Sequence, residues 1–131
     1  MTLEEIYTFR ERMRAMSPRK RRTVLERMGK AAAYDWPGCV ARDSQVLPLG
    51  DWLLWVICAG RGFGKTRTGA ETVRWWVEYN AARNFALVGP TAQQCRDVLI
   101  EGESGLLSVF PSLPIADRRM SRASAIVKFD W

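Results

Sequence analysis

The residues best suited to chemistry lie between Ala59 and Thr66, where a continuous apolar run gives way to a helical pattern. Gly60, Gly62 and Gly64 let the backbone curl tightly enough for successive N–H groups to point inward at an anion, and the first turn of the following helix adds the positive end of its dipole. Lys65 would reach the β and γ phosphates of a nucleotide, and the Thr66 hydroxyl would ligate the Mg²⁺ that bridges them. Arg61, four residues before Lys65, brings a planar, permanently charged donor to the same loop, where it could stabilise charge developing on a γ phosphate or sense its presence. Phe63 completes the stretch. Together these are the parts of a phosphate-binding Walker A loop. The consensus places a glycine six residues ahead of the lysine, and this chain has Ala59 there.

Other readings of the same glycines compete. A dinucleotide fingerprint starting at Gly60 and Gly62 would need its third glycine at position 65, where the chain has lysine. A kinase-type glycine loop fails at the same place and should join two antiparallel strands. A ligand-free glycine turn leaves a Gly-Lys-Thr helix entry unexplained. Arg61 has an alternative as a salt-bridging or solvent-facing side chain.

The elements that would position this loop can be read from the pattern around it. Trp52 to Ala59 is continuously apolar and closed by glycine, as in a strand buried on both faces of a parallel sheet. The spacing predicts a helix from Lys65 to about Asn80, with Ala70, Val73, Trp76 and Val77 inward. A second buried strand is expected over Phe85–Val88, a helix from about Ala92 to Ile100, and a third strand over Ala123–Trp131. Strand, helix, strand, helix is the opening of a right-handed parallel α/β arrangement. The expected fold class is therefore α/β, a P-loop NTPase-type parallel sheet flanked by helices and preceded by a small N-terminal helical hairpin. Pro90 and Thr91, just past the second strand, sit where such sheets bind ligands or simply turn.

The expected organisation is a helical segment over 1–33, a connector over 34–51 and the main domain over 52–131. Thr2 and Glu5 form a capping-box pattern, with Leu3, Ile6, Phe9 and Met13 as one apolar stripe to about Met16. Ser17 and Pro18 restart the chain, and Val24, Leu25 and Met28 face inward on a second helix. The connector carries Pro37, Gly38, Pro48 and Gly50.

With 131 residues and 47% hydrophobic content the chain is the size of one small domain, too short for a motor with two catalytic domains. Net charge is +6, of which residues 1–30 carry +5, so polyanions are attracted. The Arg19–Arg22 run could clamp phosphates or form a solvated face. Three separated cysteines and no histidine argue against a zinc site and fit a reducing compartment. No run approaches the ~20 apolar residues that cross a bilayer, so neither a membrane nor an exported location is expected.

From Gly60 to Glu71, and on through Val73–Trp76, the sequence resembles the N-terminal ATPase region of the large terminase subunit of tailed bacteriophages, particularly prophage and gene-transfer-agent-like forms. Tyr34–Trp36, Gly50–Trp52, Ala86–Ala92 and Glu101–Leu107 are similar to that family in the same order, so the resemblance spans roughly residues 34–131. In such terminases the Walker A loop often lacks its first glycine and carries an arginine where Arg61 stands. The resemblance implies a motor that uses ATP and Mg²⁺ to pump double-stranded DNA into a procapsid in the bacterial cytoplasm. Its implied partners are a portal protein and a small terminase subunit, in a homo-oligomeric ring. It also implies that Gly60 to Thr66 hold the nucleotide, that Lys65 and Arg61 serve catalysis, and that Gln45 contacts adenine; a solvent-facing Gln45 is the alternative.

One departure stands out. The Walker B strand of the family ends in Asp and Glu, and the only counterpart here, Ala125–Asp130, is interrupted by Lys128 and followed by Trp131. The nuclease residues have no counterpart either. The chain alone is thus expected to bind nucleotide with little or no turnover. A helicase or translocase fragment, suggested by Pro90-Thr91-Ala92, and a non-catalytic DNA-binding fragment are the alternatives.

Overall fold

The computed structural model describes residues 2–80, 85–110, 115–120 and 125–129. The chain divides into two compact units, Met1–Val56 and Ile57–Trp131, so the boundary falls inside the apolar run expected to be one strand.

In the first unit, α1 (Leu3–Ala15) opens on the expected capping box: Glu5 N–H donates to Thr2 Oγ1, and Thr2 N–H donates to the Glu5 carboxylate. Ile6 and Met13 are its buried residues. Helix α2 (Pro18–Met28) starts on Pro18, which suits the first helical position because its missing N–H would have no partner there. It ends at Gly29, whose N–H bonds the Leu25 and Glu26 carbonyls, and a short α3 (Lys30–Tyr34) follows. A π-helical turn, Trp36–Val40, is capped by Asp35, which accepts from Gly38 N–H. A 3₁₀ turn, Asp43–Gln45, then leads to buried Val46 and Leu47.

Arg10 ties this unit together. Its guanidinium donates to the carbonyls of Pro37 and Ala41, each at 2.7 Å, and to Asp43 at 2.7 Å, while its side chain is only 11% exposed. The planar fork satisfies chain segments about thirty residues away that carry no regular ladder of their own. Arg14 joins it on Asp43, and Tyr7 donates its hydroxyl proton to the Leu47 carbonyl.

In the second unit, α4 (Lys65–Asn80) occupies the residues predicted for it. Ala70, Val73 and Val77 pack with Leu106, Val109 and Phe110, the last three from the short α6 (Leu106–Val109) and its end, with Leu87 half-buried against them. Spacings of three and four put the three α4 residues on one face. Trp75, not Trp76, is the buried tryptophan; it meets Trp76 edge-on and lies 5.9 Å from the Tyr79 ring. Thr91 caps α5 (Ala92–Gln94), which continues as a π-helical turn, Cys95–Ile100, so the predicted helix is present in two forms.

The parallel sheet is not. Among the described residues the strands are β1 (Ile115–Met120) and β2 (Ala125–Phe129), paired antiparallel with each other. The strand expected over Ala123–Trp131 is thus realised in part, in the opposite sense; residues 123–124 and 130–131 lie outside the described residues. Trp52–Ala59 and Phe85–Val88 form no strand. Leu53 is fully exposed, Leu54 is 79% and Val88 86% exposed. A strand is not autonomous: its N–H and C=O groups need a neighbouring strand, and an apolar run records a need for burial without supplying that neighbour.

Replacing Arg10 with methionine should lower stability by about 2 kcal/mol, with little rescue by lysine, which cannot serve several acceptors in one plane. The check is urea unfolding of the full chain with hydrogen exchange at α1 and the Trp36–Val40 turn. The Arg10 hydrogen bond, aided by Arg14, holds the Asp43 pKa below its ordinary value. The stability contributed by that contact is therefore complete above the ordinary carboxylate range and lost as pH falls through the folded-state value.

Candidate nucleotide-phosphate site

The loop between Ala59 and Thr66 turns tightly over Arg61–Phe63 and delivers the chain into α4. Gly62 and Gly64 have φ of 80° and 92°, conformations that side chains with a Cβ rarely adopt. The positions a Cβ would take at Gly60 and Gly62 face open space, with no atom within 4 Å. The helix is secured behind the loop by Thr68, fully buried, whose N–H and hydroxyl both donate to the Gly64 carbonyl at 2.9 and 3.0 Å. The first N–H groups of α4 have no intrahelical acceptor and face the same end of the helix as the loop.

Lys65 folds back across this turn. Its ammonium donates to the carbonyls of Ala59 and Gly60, both at 2.8 Å, while remaining exposed. The structure thus places the Lys65 ammonium on main-chain oxygens at the loop's entrance. Arg61 is exposed and makes no ion pair with a described residue. Phe63 and Thr66 are half-buried.

Gln45 belongs to the first unit. It is 5% exposed, and its Oε1 accepts from Arg42 N–H at 3.0 Å, closing the turn it ends. That contact gives it a structural role. Thr91 is the cap of α5, accepting from Gln94 N–H. Asp130, the one carboxylate in a Walker B-like place, lies outside the described residues.

The structure adds a residue that the sequence reading quoted without a role. Glu71 is buried on α4 and its carboxylate meets Arg67 at 2.6 Å and Arg74 at 3.6 Å; Arg74 also pairs with Glu78 at 2.8 Å. The signal was present as alternating charges at spacings of four, three and four along 67, 71, 74 and 78. Burial raises the Glu71 pKa, and the two arginines only partly offset it. Arg67 directly follows Thr66, so this ladder braces the first turns of the helix that carries the loop.

The residues present suit a triphosphate by donor chemistry: glycine-loop amides, an ammonium, a guanidinium and a hydroxyl, with no carboxylate between 59 and 66. For Mg²⁺ the loop offers only the Thr66 hydroxyl, and no cluster of three or more acidic, cysteine or histidine groups exists among the described residues.

A hollow of about 200 Å³ in the first unit is lined by Arg10, Arg14, Arg21 and Cys39 among others. Its arginines are committed to carbonyls or to Asp43. Burial, and next the Asp35 carboxylate, push the Cys39 thiol up to about 11, so it is protonated at neutral pH. No helix among the described residues is long and apolar enough to cross a membrane. No family model, curated protein or solved structure matches the chain.

Because the folded-state pKa of Glu71 is raised, the native state keeps its proton to higher pH than the unfolded chain. Stability should accordingly fall as pH rises from the ordinary carboxylate value through the folded one. Glu71→Gln should flatten this dependence and stay within about 1 kcal/mol of the parent at pH 7, whereas Glu71→Ala, which removes the buried acceptor on which Arg67 and Arg74 converge, should cost about 1–3 kcal/mol. Thermal unfolding between pH 4 and 8 reads both. At pH 8 only about one Cys39 in a thousand is thiolate, so iodoacetamide should label exposed Cys58 first, as peptide mass mapping would show.

Proposed function

We propose that this chain is the ATP-binding part of a DNA-packaging motor of the large-terminase kind. The observation that carries the reading is the glycine turn from Gly60 to Gly64 opening directly into α4, with Lys65 folded over its entrance. The parallel-sheet setting first expected for it is no part of the proposal.

In this reading the main-chain amides of the loop and the first turn of α4 hold the phosphates. Lys65 exchanges the carbonyls of Ala59 and Gly60 for phosphate oxygens, which compete because an anionic acceptor makes the stronger hydrogen bond. Arg61 supplies a second cation on the same side, and Thr66 offers its hydroxyl to Mg²⁺. Bound Mg²⁺ would neutralise charge on the β and γ phosphates. Water activation is assigned to none of these residues, so the expected behaviour is binding with little turnover. The partners this implies are double-stranded DNA, a portal protein, a small terminase subunit and further copies of the chain.

Titration calorimetry with Mg-ATP should show one site per chain, lost at least tenfold in affinity on Lys65→Ala while helicity by circular dichroism is unchanged. Nucleotide at a hundred times its Kd should stabilise the parent chain by about 2.7 kcal/mol and leave the variant unmoved. Equal binding by both proteins, or heat from neither, would overturn the assignment.

A further inference from the structure

We propose that α2 in the N-terminal unit is a docking surface for the phosphate backbone of duplex DNA. Five of its eleven residues are cations and one is an acid. It buries no residue fully, so core packing does not account for its composition. Arg22 is paired with Glu26, and Arg21 donates to the Met13 and Arg14 carbonyls. Arg19, Lys20 and Arg27 remain exposed, without an ion pair among the described residues. Lys20 and Arg27, seven apart, nearly align, Arg19 lies within about 100° of both, and Arg19 and Arg27 are separated by about 12 Å along the helix axis.

Four of the seven carboxylates of this unit are committed elsewhere. Asp43 is held by Arg10 and Arg14, Glu26 by Arg22, Glu5 by the α1 cap and Asp35 by the Gly38 N–H. The first turn of α2 contains no acid, and Arg19 and Lys20 stand at the positive end of the helix dipole. That placement disfavours the helix in isolation, and anionic groups laid against the ridge relieve it.

Duplex DNA fits this helix better than a single strand does. Its two strands present one charge per ~1.7 Å of axis, a dense and rigid array suited to cations fixed on a rigid helix. A single strand would call for aromatic side chains to stack its bases, and α2 has none. The charge these cations meet is that of the phosphate backbone, which is the same for every base sequence, so a random-sequence duplex is a sufficient probe. The inference rests on the N-terminal unit alone and not on the nucleotide reading.

Fluorescence anisotropy of the full chain with a labelled random-sequence 30-mer duplex tests it. Three phosphate contacts predict a log–log salt slope of about −2.7, or roughly 40-fold weaker binding at 200 than at 50 mM NaCl. Arg19→Gln with Arg27→Gln should weaken binding at least tenfold at 50 mM and flatten the slope to about −1, with helicity retained; Arg19→Lys with Arg27→Lys should bind like the parent. The charge-matched pair Arg61→Gln with Lys65→Gln should stay within twofold, which separates this surface from the nucleotide loop. Equal losses from the two glutamine pairs, tighter binding to a single strand, binding only to phosphatidylserine vesicles, or no binding at 50 mM would each overturn the proposal.

Discussion

The packing of α4 against α6 is the constraint on which the candidate site depends. Ala70, Val73 and Val77 meet Leu106, Val109 and Phe110, and burial of these side chains is what holds a sixteen-residue helix whose flank carries the Arg67–Glu71–Arg74–Glu78 ladder. Once that face is set, the start of α4 is set as well, and the Gly60–Gly64 turn has one place to end. Thr68, beneath the first turn, converts the position into hydrogen bonds to Gly64. The loop's position is thus a consequence of apolar contacts about one to three turns along the helix.

Electrostatics in the two units works by different means. In the first, an arginine substitutes for missing regular structure: Arg10 supplies donors to carbonyls in the irregular segment after α3, while Asp43 keeps its charge balanced. In the second, the charges lie along one helix, and the central carboxylate is buried enough for desolvation to outweigh its two arginines. The first arrangement favours the ionised carboxylate and the second penalises it, although both are arginine–carboxylate contacts.

The glycine loop was legible because its signal is local. Spacing of Gly60, Gly62, Gly64 and Lys65 implies a turn, and the turn is there with the left-handed glycine conformations such a path needs. The capping box of α1, the Pro18 start of α2 and the length of α4 were legible for the same reason: each is decided by residues within one or two turns. Gln45 was harder to place, since its spacing ahead of Lys65 said nothing of the Arg42 N–H that its side chain accepts.

What the amino-acid order settled by itself is therefore α1, α2, α4 and the helical segment over Ala92–Ile100, with the turn before α4 and the basic excess near the start of the chain; α3, the Trp36–Val40 turn and α6 were not anticipated. Pairing was decided only in three dimensions. Trp52–Ala59 and Phe85–Val88 have the composition of buried strands yet form none, while among the described residues Ile115–Met120 and Ala125–Phe129 pair antiparallel. Helical hydrogen bonds close within about five residues and follow local propensity, whereas a strand's bonds belong to a partner that can lie anywhere in the chain.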